Sequence, residues 1–201
     1  MPHPIVLGIT GASGAVYATR LVEVLLAAGR DVHLSISPSG RDVIKQELGR
    51  AIDLENFAPA ALLPQLDDQA HRLHYHHWQD FTAPMASGSS LTGGMVICPC
   101  SGTTLSAVAA GASGNLIQRA AEVHLKERRP LVLVPRETPL SLPHIENMRR
   151  VTQAGAVVLP ASPGWYHGAK SLDDLVNFIV ARICDQLRIE NKLIPRWGGE
   201  E

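Results

Sequence analysis

The sequence has little of several features that would narrow its function at once. Of its 201 residues only three are cysteines, only 4% are aromatic, and the formal net charge is −1. A small, odd number of cysteines in a chain of this length predicts reduced thiols rather than a disulfide framework. A net charge near zero, with basic residues scattered along the chain, provides no electrostatic footprint for nucleic acid. We therefore expect no nucleic-acid partner.

Long apolar runs and a positively charged leader are also missing. A membrane-spanning helix needs about 20 consecutive apolar residues, and no stretch approaches that length. We therefore expect a cytoplasmic protein with no membrane partner. A chain of 201 residues is long enough to bury one ordinary core, and no linker or repeat divides it. Residues 1–201 are thus predicted to form a single domain.

Short runs of Val, Ile and Leu alternate with longer helical patterns. The predicted strands are Ile5–Ile9, Asp31–Ser37, Met95–Pro99, Leu131–Pro135 and Ala156–Pro160. Most of them are almost uninterrupted apolar runs, as in strands buried on both faces of a parallel sheet. The predicted helices are Ala15–Ala28, Leu105–Glu127, His144–Ala154 and Leu172–Leu187, the last preceded by Ser171 and Asp174 at capping-box spacing. This order predicts a doubly wound, mostly parallel α/β fold, a flavodoxin- or Rossmann-like three-layer sandwich.

The segment from about Arg50 to Gly94 has weaker patterns. "APAALLPQLDDQAHR" suits one or two short helices, "LHYHH" an extra strand, and "APMASGSS" a loop. Four histidines suggest a metal site, but no carboxylate and cysteine pattern of a known site accompanies them. We expect exposed or partly packed histidines and no metal, at His71, His74, His76 and His77.

Open sheets of this kind bind ligands outside the carboxyl ends of their strands, so we compared those ends. The first strand ends in "TGASG", where Gly11 and Gly14 permit close backbone approach and Ser13 offers a hydroxyl beside a helix N-terminus. This turn is predicted to cradle an anion. The second strand ends in "SISPSG", which contains Ser37 but no acid to hold the ribose of a dinucleotide, and this argues against NAD.

The third and fourth strand ends carry more polar groups. "CPCSGTTLS" places Ser101, Thr103 and Thr104 at the start of a helix, which predicts a second cradle for an anion or a polar ring. Helix capping by Ser101 alone is the alternative. "VPRETP" places Arg136 and Glu137 side by side after an apolar run, and charges at a strand's carboxyl end favour a binding site over a surface pair.

The fifth strand end, "PASPGWYHGAK", has Tyr166 and Lys170 at the Y-x-x-x-K spacing of short-chain dehydrogenases. In those enzymes both residues lie on one helix. Pro163, Gly164 and Gly168 disfavour a helix here, so we reject that interpretation.

Seven stretches, in order, resemble the UbiX-type flavin prenyltransferases over nearly the whole chain. They are "GITGASGAVYATRL", "ASGSS", "MVICPCSGTTLS", "NLIQRAAEVHLKERRPLVLVPRETPL", "GAVVLPASPGWYH", "SLDDLVNFIVARI" and "PRWG". The resemblance implies a flavodoxin-like domain that takes reduced FMN as a substrate. It implies that a dimethylallyl group from dimethylallyl phosphate is joined to that FMN without a metal ion. The product, prenylated FMN, would serve UbiD-type decarboxylases as their cofactor.

The resemblance also implies which residues form the site. The implied FMN contacts are Gly11, Ala12, Ser13, Ser37, Ser101, Gly102, Thr103, Thr104 and Arg136, and those to dimethylallyl phosphate are Tyr166, Arg182 and Lys126. The implied catalytic residues are Glu137, Ser13, Glu47 and Lys126, with Glu137 expected to handle the proton. Some relatives have Trp where this sequence has Phe81. In the family, neighbouring subunits complete the site, usually within a homododecamer.

Two other functions stay open. One is a flavin-dependent cysteine decarboxylase of the same superfamily, although its "PxMNxxMW" block is not found in this sequence. The other is a flavin-storage or regulatory subunit of a decarboxylase, which would bind flavin without changing it.

Overall fold

The protein folds around one parallel sheet, in a computed structural model that describes residues 3–66, 68–166 and 168–195. The strand order is β3-β2-β1-β4-β5-β6, and all neighbouring strands are parallel. The strands are β1 Ile5–Ile9, β2 Val32–Ile36, β3 Leu73–Tyr75, β4 Gly94–Cys100, β5 Leu131–Pro135 and β6 Val157–Val158. The α-helices are α1 Ala15–Ala27, α2 Pro38–Leu48, α3 Pro59–Leu62, α4 Gly102–Ala109, α5 Leu116–Lys126, α6 Leu142–Gln153 and α7 Leu172–Gln186.

This architecture confirms the predicted doubly wound α/β fold. Each predicted strand is present, and "LHYHH" supplies the edge strand β3. The segment before β3 contains the short helix α3 and a 3₁₀ turn at Asp68–Arg72, as its composition predicts. Helix α2 is an addition that the sequence analysis did not predict. In the quoted stretches, Asp67, His167 and Arg196–Gly198 lie outside the described residues.

One helix prediction is wrong. Leu105–Glu127 is not one helix, because α4 ends at Ala109 and α5 begins at Leu116. Between them Gly111 adopts a left-handed φ of 69°, a conformation that terminates helices. The side chain of Asn115 then caps α5 by accepting a hydrogen bond from the backbone N–H of Gln118 at 3.0 Å. The predicted long helix is therefore two separate helices, α4 and α5.

The core lies on both faces of the sheet because successive strand residues point to opposite sides. Helices α1 and α7 cover one face, over Ile5, Leu7 and Ile9 of β1. Helices α4, α5 and α6 cover the other face, over Val6. Strands buried on both faces need apolar residues at nearly every position, which explains their uninterrupted runs. The three cysteines are buried free thiols, at Cys98, Cys100 and Cys184.

No described helix is long and apolar enough to cross a membrane.

His124, a histidine of α5, is buried on the face of the sheet that α4, α5 and α6 cover. His124 is fully buried, and its Nδ1 donates to the carbonyl oxygen of Ala120 at 2.7 Å, since a carbonyl can only accept. Its Nε2 therefore accepts from the hydroxyl of Thr92 at 2.8 Å. Burial lowers the pKa of His124 to about 4 and outweighs the hydrogen bond to Ala120, which acts in the opposite direction, while the positive charge of Arg129 makes a smaller contribution that also lowers it.

We expect His124 to make the fold sensitive to mild acid. The unfolded chain takes up a proton near pH 6.5 and the folded chain only near pH 4, so the stabilisation by neutral His124 is present above about pH 6.5. It is lost as the pH falls towards about 4. His124→Gln should lower the free energy of unfolding at about pH 7.5. The difference in unfolding free energy between wild type and variant should be about 2 kcal/mol smaller at about pH 5. Urea unfolding of both proteins at the two pH values measures this difference.

The matched control is His3→Gln, because His3 is exposed. It should leave the pH dependence unchanged. A gap between wild type and His124→Gln that is the same at both pH values would contradict the prediction.

Candidate active site

The carboxyl ends of β1 and β4 meet where the chain order of the sheet reverses, the point at which open α/β sheets bind ligands. Thr10 joins these two ends. Its buried hydroxyl donates to the carbonyl oxygen of Pro99 at 2.8 Å and accepts from the backbone N–H of Ser101 at 2.8 Å. Thr10 was missed by the sequence analysis. Its only signal is a hydroxyl directly after an apolar strand.

The turn after β1 holds an anion, and that anion belongs to the protein. The carboxylate of Glu47 on α2 accepts from the N–H of Gly14 at 3.0 Å and from that of Ala15 at 2.8 Å. Gly14 has a φ of 116°, which glycine adopts without strain. Glu47 therefore caps α1 in place of a side chain of the turn itself.

Opposing effects act on the Glu47 carboxyl. Partial burial raises its pKa, but hydrogen bonds from Ser13, Gly14 and Ala15 outweigh burial, and the positive charge of Arg136 adds to them. The pKa of Glu47 is therefore lower than usual, and the group is ionised at neutral pH.

The second strand end contributes a helix cap. The hydroxyl of Ser37 accepts from the N–H of Gly40 at 3.0 Å and starts α2, which carries Glu47. The backbone N–H of Ser37 donates to the carbonyl oxygen of Ile9 at 3.0 Å, so Ser37 lies beside the end of β1. Ala12, the third residue after β1, is buried.

The third strand end caps a helix and also lines a cavity. Ser101 caps α4 by accepting from the N–H of Thr104 at 3.2 Å, and it donates to the Thr104 hydroxyl at 3.0 Å. The same turn lines a cavity of about 760 Å³, which is within the usual range of ligand pockets. Five of the predicted site residues line this cavity, namely Gly11, Ser101, Gly102, Thr103 and Glu137.

The fourth strand end lies between this cavity and a smaller one. Arg136 and Glu137 line a cavity of about 110 Å³ between the ends of β5 and β6, and Glu137 lines both cavities. The Nε of Arg136 is buried and has no hydrogen-bond partner among the described residues. A buried guanidinium nitrogen without an acceptor is costly, so it is suited to an acceptor on a bound ligand.

Tyr166 and Arg182 lie together, outside both cavities. The ring of Tyr166 packs edge-on against Phe178 of α7, with ring centroids 5.8 Å apart. Arg182 follows Phe178 by four residues on α7, and helix positions four apart share a face. Arg182 pairs with Asp185 at 2.9 Å. Within the described part of one chain, neither Tyr166 nor Arg182 lines the cavity that Glu137 lines.

Lys126 lies at the opposite edge of the sheet. It ends α5, and β5 begins only five residues later at its amino end. The next residues are tied to the segment that leads into β4, because the guanidinium of Arg129 donates to the carbonyl oxygens of Ser90 and Gly88. Lys126 is therefore distant from the carboxyl ends of its own strands. In a single chain the structure does not bring it to the cavity.

The histidines of the β2 and β3 edge form a stack. His33 on β2 stacks against both His74 and His76, and its Nδ1 lies 2.7 Å from the Nε2 of His76. Burial, followed by the charges of the two neighbouring imidazoles, lowers the pKa of His33 to about 4. Within the described ranges, no three His, Cys, Asp or Glu side chains are grouped to hold a metal ion.

The family model for the Flavoprotein family matches residues 1–184 of the chain. The flavin prenyltransferase UbiX of Pseudomonas aeruginosa is 50% identical over 200 residues, covering 99% of this chain and 96% of the relative. That of Halalkalibacterium halodurans is 47% identical over 194 residues, covering 96% of this chain and 93% of the relative. The chain belongs to the flavin prenyltransferase UbiX family.

Solved structures of UbiX proteins have the same fold. AnUbiX in complex with FMN and dimethylallyl pyrophosphate is 37% identical, with a TM-score of 0.87 and complete coverage of both chains. A dodecameric FMN-dependent UbiX-like decarboxylase from Escherichia coli O157:H7 is 35% identical, with a TM-score of 0.84, covering 98% of this chain and 100% of that chain. The cysteine decarboxylase TvaF, at 16% identity and a TM-score of 0.59, shares the fold only. It covers 92% of this chain and 98% of its own.

We expect Glu47→Gln to weaken the first turn of α1. An uncharged amide loses the attraction of the helix dipole and cannot cap both N–H groups as well, which should cost about 1 kcal/mol at about pH 7. Because the folded-state pKa of Glu47 is lowered, this stabilisation is present above the usual carboxyl pKa and lost as the pH falls through the folded-state value. Urea unfolding at about pH 7 and about pH 3.5 measures the difference.

Glu190→Gln is the control, since Glu190 is exposed and lies beside the second half of α1, away from the first turn that Glu47 caps. The expectation fails if Glu47→Gln and wild type are equally stable at neutral pH, or if their difference grows on acidification.

Proposed function

We propose that the protein joins a dimethylallyl group, supplied as dimethylallyl phosphate, to reduced FMN and releases phosphate. The observation that carries this proposal is the cavity of about 760 Å³ at the ends of β1 and β4. Residues that the family resemblance assigns to FMN line it, together with the acid Glu137, and the buried Nε of Arg136 lies beside it. These residues fit a flavin, because they offer N–H and hydroxyl donors around a space of suitable size.

The proposed reaction makes two bonds and breaks one carbon–oxygen bond. Nitrogen 5 of reduced FMN attacks carbon 1 of the dimethylallyl chain and loses its proton, while the phosphate leaves with the electron pair of the carbon–oxygen bond. Ring closure at carbon 6 then moves one proton from that carbon to the prenyl chain. The flavin gains C5H8 in total and no oxidant is consumed. The site therefore has to stabilise a leaving phosphate and exchange a proton.

The residues of this chain suit these two tasks. Glu137 lines both cavities, so its carboxylate lies between the larger cavity proposed for the flavin and the smaller cavity that Arg136 lines. We assign to Glu137 the exchange of the proton. The guanidinium of Arg136 would stabilise negative charge that develops on the leaving oxygen, and no metal ion is needed beside such cations. Tyr166 and Arg182 are assigned to the phosphate of the isoprenoid substrate.

A complete site requires neighbouring copies of the chain. Lys126 lies at the amino edge of its own sheet, so its assigned contact with dimethylallyl phosphate is possible only in the site of a neighbouring subunit. Large apolar side chains next to the site are also exposed, as expected of a surface that another subunit covers. They are Leu140, Leu142 and Ile145 near the start of α6, and Trp165, Tyr166 and Leu172 before and at the start of α7.

We propose that the assembly is a homododecamer in the cytoplasm, formed by a single-domain chain of residues 1–201. The related Escherichia coli O157:H7 protein is described as dodecameric. We further propose that a UbiD-type decarboxylase receives the prenylated FMN.

The decisive experiment is a mass measurement of the flavin. The protein is incubated without oxygen with reduced FMN and either dimethylallyl phosphate or dimethylallyl pyrophosphate. We expect the flavin to gain C5H8 with at least one donor, with and without EDTA, because the cations of the site stabilise the leaving group. An unchanged flavin with both donors would overturn the proposal. In that case bound FMN would favour a storage or regulatory subunit, and CO2 released from a cysteine-terminated peptide would favour a cysteine decarboxylase.

The shared site predicts complementation between two inactive variants. Glu137→Gln should retain FMN but turn over slowly, and Lys126→Ala should bind dimethylallyl phosphate poorly. Co-expression of the two in mixed oligomers should restore roughly a quarter of wild-type activity, because a site then combines Glu137 of one chain with Lys126 of a neighbour. Product formation by purified, doubly tagged oligomers measures the recovery.

The matched control mixes Glu137→Gln with Arg136→Ala. These two residues are adjacent in one chain, so every chain of this mixture has a defect on the same side of the site, and no activity should return. If oligomers of Glu137→Gln and Lys126→Ala were as inactive as this control, the proposal of a site shared between subunits would be contradicted.

A further inference from the structure

The cavity of about 760 Å³ has the start of α4 on one side and α6 on the other. The sequence analysis assigned no role in binding to α6. Three α6 residues line the cavity, namely Pro143, His144 and Asn147. His144 is the titratable group among them, and it is half-buried. It faces the turn that Ser101 caps, because α4 and α6 pack against each other.

The imidazole of His144 closely approaches the first residue of α4. A Cβ atom at Gly102 would lie 2.6 Å from Nε2 of His144, closer than real side-chain atoms approach. A side chain at residue 102 would therefore displace the imidazole ring from this position. The Nε2 edge of His144 is therefore aimed at the same turn that lines the cavity.

The hydrogen bonds of the other ring nitrogen determine the tautomer. The backbone N–H of Ser141 donates to Nδ1 of His144 at 3.3 Å, as part of the capping box of α6, and the Ser141 hydroxyl lies 3.0 Å from the same nitrogen. A backbone N–H can only donate, so Nδ1 is an acceptor and carries no proton. The neutral ring then has its proton on Nε2. Among the described residues, Nε2–H has no hydrogen-bond acceptor.

The charge in the cavity indicates which part of FMN accepts this hydrogen bond. Glu137 lines the same cavity, whereas Arg136 does not. A phosphate dianion next to this carboxylate would be repelled, and a neutral imidazole would not offset that repulsion. The polar edge of the flavin ring carries at most one delocalised charge and presents carbonyl oxygens, which accept well from an N–H donor.

We propose that His144 is a positioning residue that donates its Nε2–H to an acceptor on the polar edge of the flavin ring. This inference rests on the proposed binding of FMN and adds a contact from α6 to it. The contact would hold the ring against the cavity wall that the start of α4 and α6 form together, and so fix the distance of its reacting nitrogen from Glu137. Ser141 is the residue that keeps the donor in the correct tautomer.

Two variants of His144 separate the hydrogen bond from the shape of the side chain. His144→Phe keeps a ring and removes the donor, whereas His144→Gln replaces the donor with an amide N–H. Both keep the backbone half of the α6 cap, because it is the main-chain N–H of residue 144 that donates to the Ser141 hydroxyl. Arg150→Gln, at an exposed position on the same helix, is the control for general effects on α6.

Fluorescence titration with FMN and with riboflavin measures the contact without any turnover. We expect His144→Phe to bind both flavins with about 10-fold lower affinity, the effect of one lost hydrogen bond. The affinities of His144→Gln should stay within about 3-fold of those of wild type. The reduction potential of bound FMN should shift in His144→Phe and return towards wild type in His144→Gln. Arg150→Gln should match wild type in both measurements.

Three results would overturn the inference. Unchanged affinities in His144→Phe would show that Nε2–H contacts no flavin atom. A loss with FMN but not with riboflavin would place the contact at the phosphate. Equal losses in His144→Phe and His144→Gln would indicate a role in shape alone. Failure of the proposed function would be seen separately, as wild-type protein that binds FMN but makes no prenylated product. The titrations depend only on flavin binding and would still test the contact of His144.

Discussion

The hydrogen bonds of the Thr10 hydroxyl are the constraint on which the site depends. Thr10 and Pro99 are 89 residues apart in sequence, yet the hydroxyl connects the end of β1 to both Pro99 and Ser101 at the end of β4. Because this hydroxyl is buried and both its donor and acceptor capacities are used, the two strand ends have little freedom to separate. The turn after β1 and the start of α4 are therefore held as two walls of one cavity.

Glu47 determines how negative charge is distributed over this end of the sheet. Its carboxylate occupies the amino end of α1, a place where many doubly wound proteins bind a phosphate. In the proposed site, anions of a ligand would use other donors, such as the buried Nε of Arg136. The charge of Arg136 in turn favours ionised Glu47. The carboxylate that caps α1 and the guanidinium assigned to the ligand are therefore two opposite charges that interact.

The proposed site combines residues that the order of the chain places at opposite edges of the sheet. Parallel strands place all their carboxyl ends at one edge of the sheet, so a residue that precedes a strand lies at the other edge. Lys126 precedes β5, whereas Glu137 follows it. A site that uses both therefore has to be built from two chains. The exposed apolar residues near the starts of α6 and α7 provide a surface on which such chains can pack.

The sequence by itself determined the strands and the doubly wound class, and it pointed to residues at the strand ends, five of which line one cavity. Buried parallel strands are apolar runs, and the polar groups that follow them lie at one edge of the sheet. The break between α4 and α5 was missed although Gly111 and Asn115 mark it in the sequence, because apolar positions at helical spacing continue on both sides of Gly111. Only the tertiary structure decided that Thr10 joins two strands, that Glu47 caps α1 and that His144 faces Gly102. Each of these roles depends on a partner that is distant in sequence, and local patterns carry no information about such a partner.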